Sequence, residues 1–158
     1  MSFAMIALSL ALQDTPPPSS ETAAFEAFRD VCVGMIETGA SGPALVAAKG
    51  YGGHPRLPDT AGARFWLAPS ASGEVTVIVE GEGAGRACLV NVTGPAPELA
   101  GRAVAELERS GYVAAGESID GETRAVRYDG PARDGRAARA WVSETDKGRT
   151  AVTLLISR

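Results

Sequence analysis

The sequence predicts an α+β domain over residues 21–158, an antiparallel sheet of about six strands covered on one face by two or three helices in the order ααβββαβββ. Apolar residues recur every three or four positions in the predicted helices, which is the period of an amphipathic helix. Two groups of three β-branched or alternating stretches, separated by short glycine turns, are typical of antiparallel strands. Because each predicted helix has a single apolar stripe, we expect the helices to cover one face of the sheet.

The helix periodicity is clearest near the start of the domain. Ser20 is predicted to cap this first helix and Gly39 to end it. Ser41 is predicted to cap a short second helix over residues 44–49. Residues 50–62 are rich in Gly and Pro and have neither period, so they are predicted to form a loop. The apolar stripe of the first helix consists of Phe25, Phe28, Val31, Cys32, Met35 and Ile36.

Strands and a third helix fill the rest of the chain. Strands are predicted over residues 64–68, 75–79 and 86–92, with a hairpin turn at 82–85. Pro97 opens the third helix and Gly111 ends it. A final meander is predicted over residues 122–128, 137–143 and 150–157, with a tight turn at 146–148.

The first residues predict export. The uncharged apolar run from Phe3 to Leu12 is too short for a bilayer core, which needs about 20 residues, but it fits the central region of a signal peptide. Small residues at Ser9 and Ala11 favour cleavage after Ala11. Residues 1–11 are therefore the predicted signal peptide, residues 12–20 a flexible Pro/Ser-rich leader, and the predicted location is periplasmic or secreted. No Lys or Arg precedes the apolar run, so a cytoplasmic protein is the alternative.

The predicted state of Cys32 and Cys88 depends on that location. In an oxidising compartment, two cysteines in a small domain predict a disulfide, whereas in the cytosol they would be two buried thiols. Neither lies in a C-x-x-C motif, and two Cys with one His cannot supply the four ligands of a structural zinc site. We therefore predict no metal site and no cofactor.

Charge excludes one class of partner. The formal net charge is −4, so no overall positive field attracts nucleic acid. One segment nevertheless concentrates arginine with aromatic residues, and guanidinium groups on neighbouring strands can bind carboxylate or phosphate. A solvated face with local ion pairs is the alternative. The candidate ligand-binding or partner-binding residues are Arg124, Arg127, Tyr128, Arg136, Arg139 and Trp141.

His54 is a weak catalytic candidate because it is the side chain that titrates near neutral pH. A Ser-His-Asp site would need a carboxylate such as Asp59 and a nucleophile such as Ser70 or Ser72. No G-x-S-x-G motif is present. An exposed loop histidine without a catalytic role is the alternative.

Several short motifs together resemble a group of small secreted proteobacterial proteins that carry one Cys pair. No activity is known for that group, so the resemblance implies no catalytic or binding residues. The motifs are Gln13-Asp14-Thr15-Pro16, Phe28-Arg29-Asp30-Val31-Cys32, Tyr51-Gly52 and Arg86-Ala87-Cys88-Leu89-Val90.

The sequence favours a binding role over an enzyme. The predicted function is that of an exported, disulfide-stabilised accessory or binding domain. It would contact a cell-envelope partner or an anionic ligand through the sheet face or the Gly-rich loop. The alternatives are a small periplasmic hydrolase that uses His54, and an inhibitor or subunit of an envelope complex.

Overall fold

The computed structural model describes residues 15–81, 85–133, 136–146 and 150–158. The predicted signal peptide, the first three residues of the predicted leader and the centres of the two predicted hairpin turns lie outside these residues. Within the described ranges, no helix is long and apolar enough to cross a membrane.

Helix α1 spans residues 20–38 and confirms the strongest periodicity in the sequence. Its middle segment is π-helical, with a wider turn than an α-helix. Val33 is buried there beside Val31 and Cys32, so the buried stripe is broader than the predicted one. The three segments of α1 are Ser20–Glu26, the π-helical Ala27–Val33, and Gly34–Thr38.

The two ends of α1 differ in how well they were predicted. Ser19, not Ser20, is the N-cap, and its hydroxyl accepts a hydrogen bond from the Thr22 N–H at 3.2 Å. Ser20 is buried, and its hydroxyl donates to the Pro95 carbonyl at 3.0 Å. Gly39 ends the helix as predicted, in the left-handed conformation with φ of 77°.

Two shorter helices complete the helical layer. Helix α2 (Gly42–Ala48) follows Ser41, whose side chain makes no capping hydrogen bond. Helix α3 (Leu99–Arg109) buries Leu99, Ala103 and Leu107 on its inner face. Both helices lie where the sequence predicts them, with small differences at their ends.

The sheet is larger than predicted, with eight strands in the described residues instead of about six. Two strands were not predicted. Gly52 and Gly53, in the predicted loop, form a two-residue strand at one edge of the sheet, and residues 113–120 form a strand at the opposite edge. The element order is therefore ααββββαββββ and not ααβββαβββ. The strands are β1 (Gly52–Gly53), β2 (Ala63–Ala68), β3 (Glu74–Glu80), β4 (Ala87–Thr93), β5 (Val113–Asp120), β6 (Thr123–Arg133), β7 (Arg136–Asp146) and β8 (Thr150–Ser157).

Neighbouring strands are antiparallel throughout, in the order β1-β2-β3-β4-β8-β7-β6-β5. The first four strands form one meander and the last four another. Pairing of β4 with β8 joins the two meanders, with Cys88 opposite Ile156. This pairing of distant segments joins the two meanders into one sheet.

The core lies between the helices and one face of the sheet. A disulfide joins Cys32 on α1 to Cys88 on β4, with a Cα–Cα distance of 5.1 Å, and both residues are fully buried. This confirms the predicted pair. Val75, Val77 and Val79 of β3 are also buried on this face. The helices therefore cover the Cys88 side of the sheet, as the single apolar stripes predict.

Candidate functional site

An open groove of about 740 Å³ lies between the α1–α2 turn and the adjoining ends of β2 and β3. Residues 39–43 form one wall, and residues 60–64 form the other. Met35 and Val79 lie at its base, on the helical side of the sheet. Residues 60–62 of the Gly-rich loop thus line a concave site.

The start of α2 lies close to β3 because Gly42 has no side chain. A Cβ at Gly42 would lie 2.8 Å from Val79 Cγ1 and 2.9 Å from Met35 Sδ. Both distances are shorter than normal van der Waals contact. Glycine therefore lets the start of α2 pack directly on β3, which fixes the shape of the groove.

Arg86 is anchored at one side of the groove. One terminal nitrogen of its guanidinium donates to the Gly39 carbonyl at 3.0 Å, where a positive charge meets the C-terminus of α1. The Arg86 carbonyl accepts from the Arg158 N–H at 3.1 Å. The Arg86 Nε is buried and makes no hydrogen bond with the described residues. A buried N–H without a partner is costly.

Arg64 supplies a second guanidinium from the opposite wall. It is exposed, pairs with Val79 in the register between β2 and β3, and has no ion pair within the described part of the chain. The described lining contains Arg64 and Arg86 but no Asp or Glu. We call this site the arginine groove. Two arginines in a groove whose described lining holds no carboxylate favour anionic groups, above all carboxylate and phosphate.

The sequence suggested an exposed loop histidine as one alternative. His54 is instead buried, with 8% of its surface accessible. Its Nδ1 accepts hydrogen bonds from the N–H groups of Arg56 and Leu57, each at 3.2 Å. Its Nε2 is buried, 3.4 Å from Glu74 Oε1, and makes no hydrogen bond with the described residues. Through Nδ1 the ring anchors the turn after β1, and its Nε2 lies beside Glu74 at the start of β3.

The other residues considered for a triad have structural partners. Asp59 accepts a hydrogen bond from the Phe65 N–H at 3.0 Å. The Ser70 hydroxyl donates to the Gly73 carbonyl at 3.0 Å. In a Ser-His-Asp site, Nδ1–H donates to the carboxylate and Nε2 accepts from the nucleophile. Here Nδ1 of His54 is an acceptor instead, so this geometry does not supply that arrangement.

The arginine and aromatic candidates are divided between the two faces of the sheet. Arg127 and Trp141 are opposite each other on β6 and β7, on the face away from the helices. Arg139 lies two residues from Trp141 and shares that face. Arg127 Nε lies 3.3 Å from Asp129 Oδ1.

Tyr128 and Arg124 belong to the helical side of the sheet. Tyr128 is buried there, opposite Ala140, and burial raises its pKa. Arg124 donates to Glu117 at 2.6 Å, and this hydrogen bond lowers the pKa of the Glu117 carboxyl. Arg136 lies on β7, but its side chain is outside the described part of the structure. The six candidates therefore do not form one binding face.

A second polar cluster joins α1 to the end of α2. The Arg29 Nε donates to Asp30 at 2.5 Å, and Lys49 also pairs with Asp30. These hydrogen bonds lower the pKa of Asp30, with that from Arg29 the larger effect. Burial raises the pKa of Tyr51 to about 12, and the charges of Glu26 and Asp30 add to the effect. In the described residues, no group of three His, Cys, Asp or Glu could hold a metal ion.

The arginine groove was not predicted as a site because its charges are distant in sequence. Arg64 begins a predicted strand and Arg86 begins another, with β3 between them. Nothing in either local sequence indicates that the two side chains line one cavity. Pairing of β2, β3 and β4 brings them together.

No family model, no curated protein and no solved structure matches this chain. The function of the groove therefore has to be inferred from its own geometry and charge.

Proposed function

We propose that this protein is an exported, disulfide-stabilised binding domain that holds an anionic ligand in the arginine groove. The observation that carries the proposal is the pairing of Arg64 and Arg86 in a concave site whose described lining has no acidic residue. Such a ligand is a carboxylate or phosphate compound, or a carboxylate or phosphate group on an envelope partner.

Export is supported by two independent features of the chain. The apolar run from Phe3 to Leu12 has the length of a signal-peptide core. The Cys32–Cys88 disulfide is of the kind that persists in oxidising compartments such as the periplasm. The proposed location is accordingly periplasmic or secreted.

A fixed guanidinium and a free one suit recognition of an anion. Arg86 is held by Gly39, so its position costs little further ordering when a ligand binds. Arg64 is exposed and unpaired in the described structure, so it can close over the ligand from the other wall. Charge-assisted hydrogen bonds from both sides would give the ligand a defined orientation.

Binding is better supported than hydrolysis. A general base must reach the proton that it removes, and His54 is buried, with Nδ1 bonded to the turn that it anchors and Nε2 buried beside Glu74. The groove is also compatible with a role as an inhibitor or as a subunit of an envelope complex, if the anionic group belongs to that partner.

Isothermal titration calorimetry with citrate and with inorganic phosphate tests the proposal. We expect saturable binding to the mature protein at one site per chain. Arg64→Gln should weaken it about tenfold or more, because a hydrogen bond between charged groups contributes about 1.5–3 kcal/mol. Arg86→Gln should do the same, although it also removes the contact with Gly39.

Arg124→Gln is the matched control, because Arg124 is exposed and lies on β6, away from the groove. It should bind both anions like the wild type. Equal affinity in the Arg64→Gln and Arg124→Gln variants, or no binding of either anion by the wild type, would contradict the proposed site.

A further inference from the structure

One face of the sheet carries no helix in the described part of the chain. The helices lie on the side of Val79 and Cys88, as the disulfide and the contact of Gly42 with Val79 establish. Strand residues alternate between faces, so the positions between these, such as Ile78 and Leu89, point the other way. We call this second surface the open face.

An apolar row crosses the open face. The register pairs Phe65 with Ile78, and Ile78 with Leu89, on β2, β3 and β4. Leu155 on β8 follows Leu89, and Trp141 on β7 follows Leu155. Phe65, Ile78, Leu89 and Trp141 all remain partly exposed. A contiguous apolar row on a sheet surface that no described helix covers is suited to an interaction.

A charged row runs beside the apolar row, two residues further along each strand. Glu80 on β3, Arg139 on β7 and Asp129 on β6 belong to it; Asp129 is directly opposite Arg139, and Ala87 and Ser157 lie between Glu80 and Arg139 in the register. Glu80 and Arg139 are exposed, and neither has an ion pair within the described residues, since Asp129 pairs with Arg127. Three strand spacings separate them, or about 14 Å, which is too far for them to pair within one chain.

The two rows of one copy are complementary to the same two rows of a second copy. The boundary between β4 and β8 has β3 and β2 on one side and β7 and β6 on the other. If two open faces pack about a two-fold axis that runs along the strands at this boundary, β3 lies over the partner's β7. Glu80 then meets the partner's Arg139, and Ile78 meets the partner's Trp141.

The same two-fold rotation also places the ends of the apolar row opposite suitable residues of the partner. Strand β2 then lies over the partner's β6, so Phe65 meets the partner's Arg127, which is opposite Trp141 in the register. A guanidinium over an aromatic ring is a favourable cation–π pair. Leu89 meets the partner's Leu155 position. No like charges face each other in these pairs.

We propose that the protein forms an isologous dimer in which the open faces of two copies pack as a β-sandwich. A two-fold interface of this type repeats each contact twice, and face-to-face sheets align within about 30°. The arginine groove lies on the helical side of the sheet, so both copies keep it open. The dimer is therefore independent of the proposed ligand.

The size of the open face fits this partner. Six strands at a spacing of about 4.8 Å and five residues at a rise of about 3.4 Å cover roughly 29 by 17 Å. That is a projected area of about 490 Å² for each partner, the scale of a small interface that buries less than about 1,200 Å² in total. Trp141 lies inside this area as the large aromatic anchor that such interfaces favour.

Sedimentation of the mature protein over a wide concentration range tests the dimer. We expect a concentration-dependent dimer for the wild type. Trp141→Glu should raise the dissociation constant at least about tenfold, because the new charge is buried in the apolar row. Ile119→Glu is the control, because Ile119 is 72% exposed on β5, outside this row, and the variant should dimerise like the wild type.

Charge reversal tests the symmetry itself. Glu80→Arg alone and Arg139→Glu alone should each weaken self-association at least about tenfold, because both place like charges opposite each other twice per dimer. Mixing the two variants should restore the dimer, since both contacts then join opposite charges. Both substitutions are at exposed positions, so the variants should remain folded; Arg139→Glu also places a carboxylate opposite Asp129 within the chain, so its urea unfolding is compared with that of the wild type.

The opposite results are equally clear. Wild-type protein that sediments as a monomer at every concentration would overturn the proposal and leave the open face to a different protein. A dimer that persists in Trp141→Glu, or a mixture of the two charge variants that stays monomeric, would overturn the proposed arrangement.

Discussion

Reduction of the Cys32–Cys88 disulfide should lower the free energy of unfolding by about 4 kcal/mol. The bond joins residues 56 positions apart, and in the chain-entropy model a closed loop of that length restricts the unfolded chain by this amount. A domain of this size has a total stability of about 5–15 kcal/mol, so the loss is a large fraction of it. The melting temperature should fall by roughly 15 °C.

Urea unfolding of the oxidised and the reduced wild type measures this difference with no change in composition. Cys32 and Cys88 are fully buried, so the reductant has to act on unfolded protein before the reduced chain is refolded. The Cys32→Ala/Cys88→Ala double variant is the comparison that cannot reoxidise. It should be at least as unstable as the reduced wild type, because it also loses two buried sulfur atoms.

Two results would refute this reasoning. Oxidised and reduced proteins that unfold within about 1 kcal/mol of each other would show that the bond does not restrict a long loop. Rapid labelling of both cysteines in the folded, unreduced protein would show that they are neither bonded nor buried.

Two further predictions concern packing and alkaline stability. Gly42→Ala should destabilise the fold by about 1–3 kcal/mol in urea unfolding, because its Cβ would overlap Val79, whereas Gly101→Ala, with open space around it in α3, should be neutral or stabilising. Equal stability of the two variants would contradict the close packing of α2 on β3. The raised pKa of Tyr51, about 12 against about 10 unfolded, stabilises the fold below pH 10 and is lost as the pH rises through 12. Over this range the wild type should lose about 1–2 kcal/mol more than Tyr51→Phe, after allowance for solvent screening, and parallel losses would contradict the buried position of Tyr51.

The helices and most strands were predictable because the periodicity of their apolar residues shows which side of each element is buried. Helix α1 repeats apolar residues at helical spacing, and Gly39 supplies the left-handed end. Cys88, Val90 and Val92 alternate on β4, and all three are buried on one face. In both cases the sequence period equals the structural period, so burial and local geometry agree.

The missed strands have no such pattern. Val113–Asp120 forms the edge strand β5 and is exposed along its whole length, with Val113 68% and Ile119 72% exposed. Gly52 and Gly53 form β1 without any side chain to bury. These strands exist because their backbones pair with a neighbouring strand, and backbone pairing leaves little trace in residue type.

The site was less predictable than the fold. The predicted Arg-rich segment alternates along β6, so Tyr128 points into the core while Arg127 points away from it. Arg64 and Arg86 become neighbours only through long-range pairing. The burial of His54 depends on hydrogen bonds to Arg56 and Leu57 that the loop composition does not indicate.

The most direct test of the account is the NMR signal of the Arg86 side-chain Nε–H in ¹⁵N-labelled mature protein titrated with inorganic phosphate. We expect this signal to shift and saturate in the wild type, and Arg64→Gln to need at least about tenfold more phosphate for the same shift. A signal that does not move at any phosphate concentration, while the protein stays folded, would contradict the assignment of the arginine groove as an anion-binding site.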